Sequence, residues 1–225
     1  MNIEMIDIEE PLRLGYANII YQGNDGIIIH ELRSDVLMVA MSDVKHFMEI
    51  YEKNCLQSFA IISTKSKDIK DILTNKYHKT FQFACYQAVY THGEKIDMIY
   101  PQDVYIHNLT LEFLPLIKKY YEHSDDVEHL KNIIERKHLW GIFEKNELAG
   151  FIGIHDEGSM GILEMRNEYK RKGYGYLLEG YLINYFIDQG WIPFCQIIQD
   201  NLPSLALQKK LGLSLSKGLS YWLFD

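Results

Sequence analysis

The chain has 225 residues, enough for one large domain or two small ones, each with its own core. Hydrophobic residues make up 47% and charged residues 24%, a globular balance that excludes an intrinsically disordered chain. With 31 acidic residues against 23 basic ones, the net charge of −8 excludes a chain-wide surface for nucleic acid or anionic lipid, so a polyanion can bind only through a local patch. Cys55, Cys85 and Cys195 are odd in number and widely spaced, which favours neither a disulfide framework nor a metal site. The N-terminus, MNIEMIDIEEPLRLGY, is acidic and lacks a basic-then-apolar leader, and no apolar run reaches membrane-spanning length. The expectation is a soluble, cytoplasmic protein with no membrane partner.

In chain order, ANIIYQ and GIIIHE read as strands around a GNDG turn at 23–26, followed by VLMVAM. Ser42 is placed to cap a helix in which Val44, Phe47, Met48 and Tyr51 fall at i, i+3, i+4 and i+7. SFAIIS (58–63) reads as a buried strand. A second helix then carries Ile69, Ile72 and Leu73 on one face, and TFQFACYQAVYT (80–91) is a long β-type segment. The stretch THGEKIDMIYPQD (91–103) mixes glycine, proline and charge and reads as a boundary, giving domains at 1–98 and 103–225.

Beyond it, DVYIHNL suggests a strand, and Thr110 or Asn108 opens a helix with Phe113, Leu114, Ile117, Tyr120 and Tyr121 inward. A further helix begins near SDDVEHL, where Asp125 and Glu128 have capping-box spacing. LWGIFEK, LAGFIGIH and GILEM form a three-strand meander, reversed at Lys145-Asn146 and at DEGS (156–159).

A cationic turn follows: Tyr169, Lys170, Arg171, Lys172, Gly173, Tyr174 and Gly175. It precedes a helix whose apolar positions are Leu177, Leu178, Tyr181, Leu182, Tyr185 and Phe186, with Gly190 as its stop. A strand feeding such a turn into a helix leaves outward backbone N–H groups that favour an anion, and glycine lets a phosphate approach closely. Leu178 stands where a dinucleotide fingerprint needs its third glycine, and a Walker loop is absent. On these residues alone, a phosphate site and an ordinary charged surface turn both stand open.

After the helix come a strand, WIPFCQIIQ (191–199), and a short helix, DNLPSLALQKKLGL (200–213), ended by Gly212. In this order Lys170-Arg171-Lys172-Gly173-Tyr174-Gly175, then Asn201, Ser204, Leu207 and Leu211-Gly212-Leu213, resemble the GCN5-related N-acetyltransferases, in particular the FR47-like branch. The resemblance covers roughly residues 103–225. It implies an α/β fold with a mixed sheet, a strand order that opens beside the cofactor, and acetyl-CoA as cosubstrate. Residues 1–98 would be a degenerate half of the same kind, a layout similar to the glycine N-acyltransferases.

As the resemblance implies, Met165, Asn167, Lys170, Arg171, Lys172, Gly173, Tyr174, Gly175, Tyr176, Asn201 and Ser204 would hold coenzyme A. The Met165 N–H would face the thioester oxygen, where a preorganised donor stabilises developing charge. Lys170 stands where the family has Arg or Gln and keeps only a point charge. Gln208 stands where many relatives carry an acidic tyrosine.

Glu164, next to Met165, is the candidate general base; a structurally paired strand carboxylate is the competing reading. Asn201 also suits an N-cap, and Cys195 a small core residue. The function implied is acyl transfer from acyl-CoA to the amine of a small molecule or amino acid, with no nucleic-acid partner. A catalytically silent acyl-CoA-binding module is the alternative, and an aminoacyl-tRNA-dependent transferase fits poorly with the charge of −8.

Overall fold

The structure, a computed structural model, describes residues 2–121 and 127–225. The helix cap expected at Asp125 lies outside the described residues. The chain divides into two compact units that interleave in sequence. One comprises residues up to Val89 with Gln196–Leu205 and Ser214–Asp225; the other comprises Tyr90–Cys195 with Ala206–Leu213.

The first unit opens with helix α1 (Ile6–Arg13), which sequence reasoning passes over because Pro11 and three acidic residues obscure it. Strands β1 (Ala17–Gly23), β2 (Gly26–Glu31) and β3 (Val36–Met41) form an antiparallel meander. Helix α2 (Val44–Lys53) is capped by Asp43, whose carboxylate accepts from the N–H groups of Lys45 and His46. The expected cap, Ser42, instead donates its hydroxyl to the Asp25 carbonyl. Strand β4 (Ile61–Thr64) runs parallel to β3, and α3 (Lys67–Tyr77) leads to β5 (Thr80–Val89).

Three late segments return to this sheet. The two residues of β11 (Ser214–Leu215) pair with β5, and β12 (Ser220–Phe224) lies antiparallel between β4 and β5. Period-2 alternation along β3 divides its side chains between two cores. Leu37, Val39 and Met41 meet Phe47, Tyr51, Ile69 and Leu73 of α2 and α3. Val36 and Met38 meet Ile8 of α1 and Trp222. A buried polar set ties four elements together: Lys65 Nζ donates to Asp7 at 2.6 Å and to Ser220 Oγ at 2.7 Å. Gln87 Nε2 donates to the same two partners.

The second unit contains β6 (Val104–Asn108), β7 (Leu139–Glu144), β8 (Glu147–Ile154) and β9 (Met160–Met165), each antiparallel to the next. Strand β10 (Phe194–Ile198) is parallel to β9, pairing Cys195 with Met160. Lys145 and Asn146, both with positive φ (50° and 67°), make the tight β7–β8 reversal. Helices α4 (Leu114–Tyr120) and α5 (Val127–Glu135) cover one face, burying Ile117, Leu130 and Ile133 against Phe151 and Ile162.

Helix α6 (Tyr174–Asp188) packs across β7, β8 and β9. It ends as its sequence dictates: the Gly190 N–H bonds Ile187 O and the Trp191 N–H bonds Phe186 O, with Gly190 at φ 68°. The division between the units runs within helix α7 (Leu202–Leu211), so that residues 206–211 belong to this unit. Among the described residues no helix is long and apolar enough to cross a membrane, and no group of three His, Cys, Asp or Glu side chains is placed for a metal.

Candidate active site

The end of β9 and the start of α6 carry most of the residues singled out by sequence. Strand β9 is bulged: Phe151 pairs with Glu164 and Gly153 with Gly161, so two residues of β9, Ile162 and Leu163, oppose Ile152 alone. Ile162 takes up the bulge with φ 55°, a left-handed value that a β-branched residue rarely adopts. Past the bulge, Arg166 N–H bonds Ala149 O at 3.0 Å. Hydrogen-bonded and non-hydrogen-bonded pairs alternate, so Met165, opposite Gly150, has its own N–H directed away from β8.

Gly150 is needed at that position. A Cβ there would lie 2.4 Å from Met165 Sδ and 2.6 Å from Glu164 O. The Met165 side chain thus lies across the glycine, while Glu164 shares the opposite face with its cross-strand partner Phe151, on the side of α4 and α5. Tyr121, at the end of α4, reports this placement. Burial pushes its hydroxyl up to about 12, and the Glu164 and Glu157 carboxylates add to the shift.

After β9, a single 3₁₀ turn (Asn167–Tyr169) leads into the loop. Lys170 is extended, Arg171 is left-handed at φ 65°, and Gly173 is left-handed at φ 85° in the N-cap position of α6. Gly173 has no side chain with which to cap, and the first helical bond runs from Leu177 N to Gly173 O. The N–H groups of Tyr174, Gly175 and Tyr176 therefore precede the helical ladder and retain their donor capacity. A Cβ added at Gly173 would meet nothing within 4 Å, and one at Gly175 would meet only Leu207 Cδ2 at 3.8 Å. The protein leaves the backbone here uncovered, as a phosphate cradle requires.

The three cations of the loop differ in their engagements. Lys172 is tied to Glu144 at 2.6 Å and lies 4.9 Å from the Tyr169 ring. That ammonium, with the Tyr174 hydroxyl, holds the Glu144 carboxyl below its ordinary range. Tyr174 points inward at 4% exposure, and burial with the Glu144 bond raises its hydroxyl to about 12. Lys170 and Arg171 are exposed, and no ion pair engages either among the described residues. Tyr176 lies under Lys210, whose Nζ is 5.0 Å from its ring centroid.

Asn201 and Ser204 belong to the first unit. There Asn201 Oδ1 accepts from the Ser204 N–H at 3.1 Å, the geometry of an N-cap for α7. Cys195 is buried at 4% exposure, in keeping with a small core residue.

One functional candidate escaped the sequence reading. Glu179 of α6 is 3% exposed and bonds Gln208, itself 1% exposed. Burial raises the Glu179 carboxyl to about 7, opposed by that bond. Glu179 precedes Leu182, Ile183 and Phe186 by three, four and seven residues, so it borders the apolar stripe of α6, and nothing local in the sequence names Gln208 as its partner. Its signal in the sequence was the small residues Gly175 and Gly180, which mark a second packed face: Leu207 and Leu211 each lie 3.8 Å from their Cβ positions.

Residues 139–223 match the family model described as FR47-like protein. No curated protein matches the chain. Among solved structures, a Drosophila protein shares 18% identity over 91% of this chain and 77% of its own, with a TM-score of 0.69. A GCN5-related N-acetyltransferase from Kribbella flavida shares 11% identity, covering 99% of this chain and 94% of its own at TM-score 0.62. A GCN5-related N-acetyltransferase-like protein from Streptococcus suis shares 16%, covering 99% and 97% at TM-score 0.55. Residues 139–223 thus resemble the FR47-like proteins, and the chain has the mixed α/β fold of these GCN5-related N-acetyltransferase structures.

Proposed function

We propose that the protein is an acyl-CoA-dependent N-acyltransferase, moving an acetyl group from acetyl-CoA to the amine of a small molecule or amino acid. The observation that carries the reading is the uncapped, glycine-lined start of α6, set between the exposed cations Lys170 and Arg171 and a helix inside the FR47-like region. The residues fit the group: open space at the Gly173 and Gly175 Cβ positions suits close approach of a pyrophosphate to backbone N–H. Bound acetyl-CoA supplies the acyl group as an activated thioester.

The Met165 N–H, free of the β8 ladder, is the donor assigned to the thioester oxygen, where charge develops during attack. Glu164 is the group assigned to take the amine's proton, directly or through a water. Asn167, Lys170, Arg171, Lys172, Tyr174 and Tyr176 are assigned to the cofactor's phosphates and their surroundings. Residues 1–98 are assigned as a degenerate half that holds no cofactor.

A second reading has an observation in its favour. Gln208 has no proton to give, and its amide is engaged with Glu179, which suits a module that holds acyl-CoA without turnover. Thiol release from acetyl-CoA, followed across a panel of amines and amino acids, separates the two. Turnover with any amine supports the transferase. Stoichiometric CoA binding with no thiol release for any amine supports the binding module. Failure to bind CoA at all removes both.

A further inference from the structure

Glu179 and Gln208 form a buried polar pair in an otherwise apolar seam. Both side chains belong to the second unit, and both are almost wholly buried. Gln208 bonds the Glu179 carboxyl, yet among the described residues the buried Gln208 Oε1 has no hydrogen-bond partner. Among the described residues no ion pair engages this buried carboxylate, and beside it lies the orphaned amide oxygen, so two unpaired costs meet in one place. A single proton removes both. A carboxylic acid has one oxygen that accepts from Nε2 and one O–H that can donate to Oε1, closing a neutral cyclic acid–amide pair.

The charged and titratable groups on the surrounding elements offer no substitute for that proton. On residues 206–213, Lys210 lies over the Tyr176 ring and Lys209 is exposed. On the segment before β6, Lys95 pairs with Asp188 of α6, Asp97 is exposed, and His92 sits beside Gly212. On the strands beneath α6, Glu144 is taken by Lys172 and Glu147 by Tyr169, and Glu164 faces the other side of the sheet. Burial governs the ionisation of Glu179, and only the Gln208 bond opposes it.

We infer that Glu179 is held as the neutral acid in a cyclic pair with Gln208, a proton-operated latch that closes residues 206–211 onto α6 and loosens when the proton leaves. Ionisation leaves a carboxylate in the seam with one amide N–H as partner, and hydration then favours opening. Glu179 follows Gly175 by one helical turn on the same face, so the latch fixes the helix whose N-terminus follows the cationic loop. The inference concerns the fold of this unit and stands whether or not the loop binds coenzyme A.

Infrared spectroscopy of the full chain in heavy water tests it. The wild type should show a carboxylic-acid C=O band that titrates away with a midpoint near 7, and Glu179→Gln should lack it. Gln208→Leu, which removes both the N–H donor to the carboxyl and the acceptor of the acid's O–H, should move the midpoint and shift the C=O band toward that of an unpaired acid. Hydrogen exchange at residues 207–211, corrected for its intrinsic pH dependence, should accelerate at least several-fold above the midpoint in wild type and stay protected in Glu179→Gln. A wild type without the band, a band that survives Glu179→Gln, an unmoved midpoint in Gln208→Leu, or pH-independent protection would each overturn the latch. If Glu179→Gln does not fold, the wild-type titration and Gln208→Leu decide the matter alone.

Discussion

Replacing Gly175 by alanine should move stability and cofactor affinity in opposite directions. Gly175 is the second residue of α6, its φ is not left-handed, and a Cβ there would have only Leu207 Cδ2 near it, at 3.8 Å. The folded chain therefore accepts the methyl without strain, while the unfolded chain loses glycine's freedom. Such substitutions stabilise by about 0.4–1 kcal/mol. For a chain of this size that corresponds to a rise of roughly 1–4 °C in Tm. The same methyl projects from backbone whose N–H is assigned to a phosphate, and holding the phosphate off by a carbon should weaken binding about tenfold or more, about 1.4 kcal/mol. Calorimetric titration with CoA and a thermal melt on the same preparation read both quantities. A variant that melts higher and binds CoA as tightly as the wild type refutes the cradle. Its intact stability rules out misfolding as an excuse.

Glu179→Gln should change how stability depends on pH. The carboxyl titrates at 4.5 unfolded and at about 7 folded, so the unfolded chain releases its proton first and wild-type stability falls as pH rises between the two. From pH 5 to 8 the wild type should lose roughly 2–3 kcal/mol relative to the variant by urea melts; parallel curves would refute the buried acid. Asp7→Asn should destabilise the chain by roughly 2 kcal/mol, because the partly buried Lys65 ammonium loses its carboxylate and keeps Ser220, and a loss below about 0.5 kcal/mol in urea would count against that tie. Glu164→Gln should lower kcat for amine acetylation with little change in KM for acetyl-CoA. The deficit should shrink at high pH, where free amine needs no base; full turnover across the pH range would reduce Glu164 to a structural strand residue.

Much of the architecture was legible because its signals are local. The hairpin at Lys145-Asn146, the stop at Gly190 and the three-strand meander each follow from turn chemistry and periodicity within a few residues. The cationic loop was legible for the same reason, since strand, glycine and helix are consecutive. What escaped depended on segments distant in sequence. Glu179 borders the stripe of α6 beside Leu182, Ile183 and Phe186, and its partner Gln208 comes from a later helix that no local pattern points to. Ser42 and Asp43 are both competent caps, and Asp25, a residue of the preceding hairpin, draws Ser42 away. The bulge at Ile162 has no signature, because β-branched residues rarely take a left-handed φ and nothing in GILEM announces that one does.

The position of β12 bears on how the chain reaches its fold. It fills the gap between β4 and β5, and the network it completes joins Lys65 to Ser220, 155 positions apart. A ribosome emitting this chain produces β1 to β5 early, yet their sheet stays split until residues 220–224 arrive. Closing so long a loop defers much of the entropy loss to the end, and high contact order slows folding. Until then two strand edges, at β4 and β5, stand open to pairing with a neighbouring chain. Vectorial folding of the first unit should therefore wait on its last strand. Removal of the last strand should expose a pair of adhesive edges in place of a smaller independent domain.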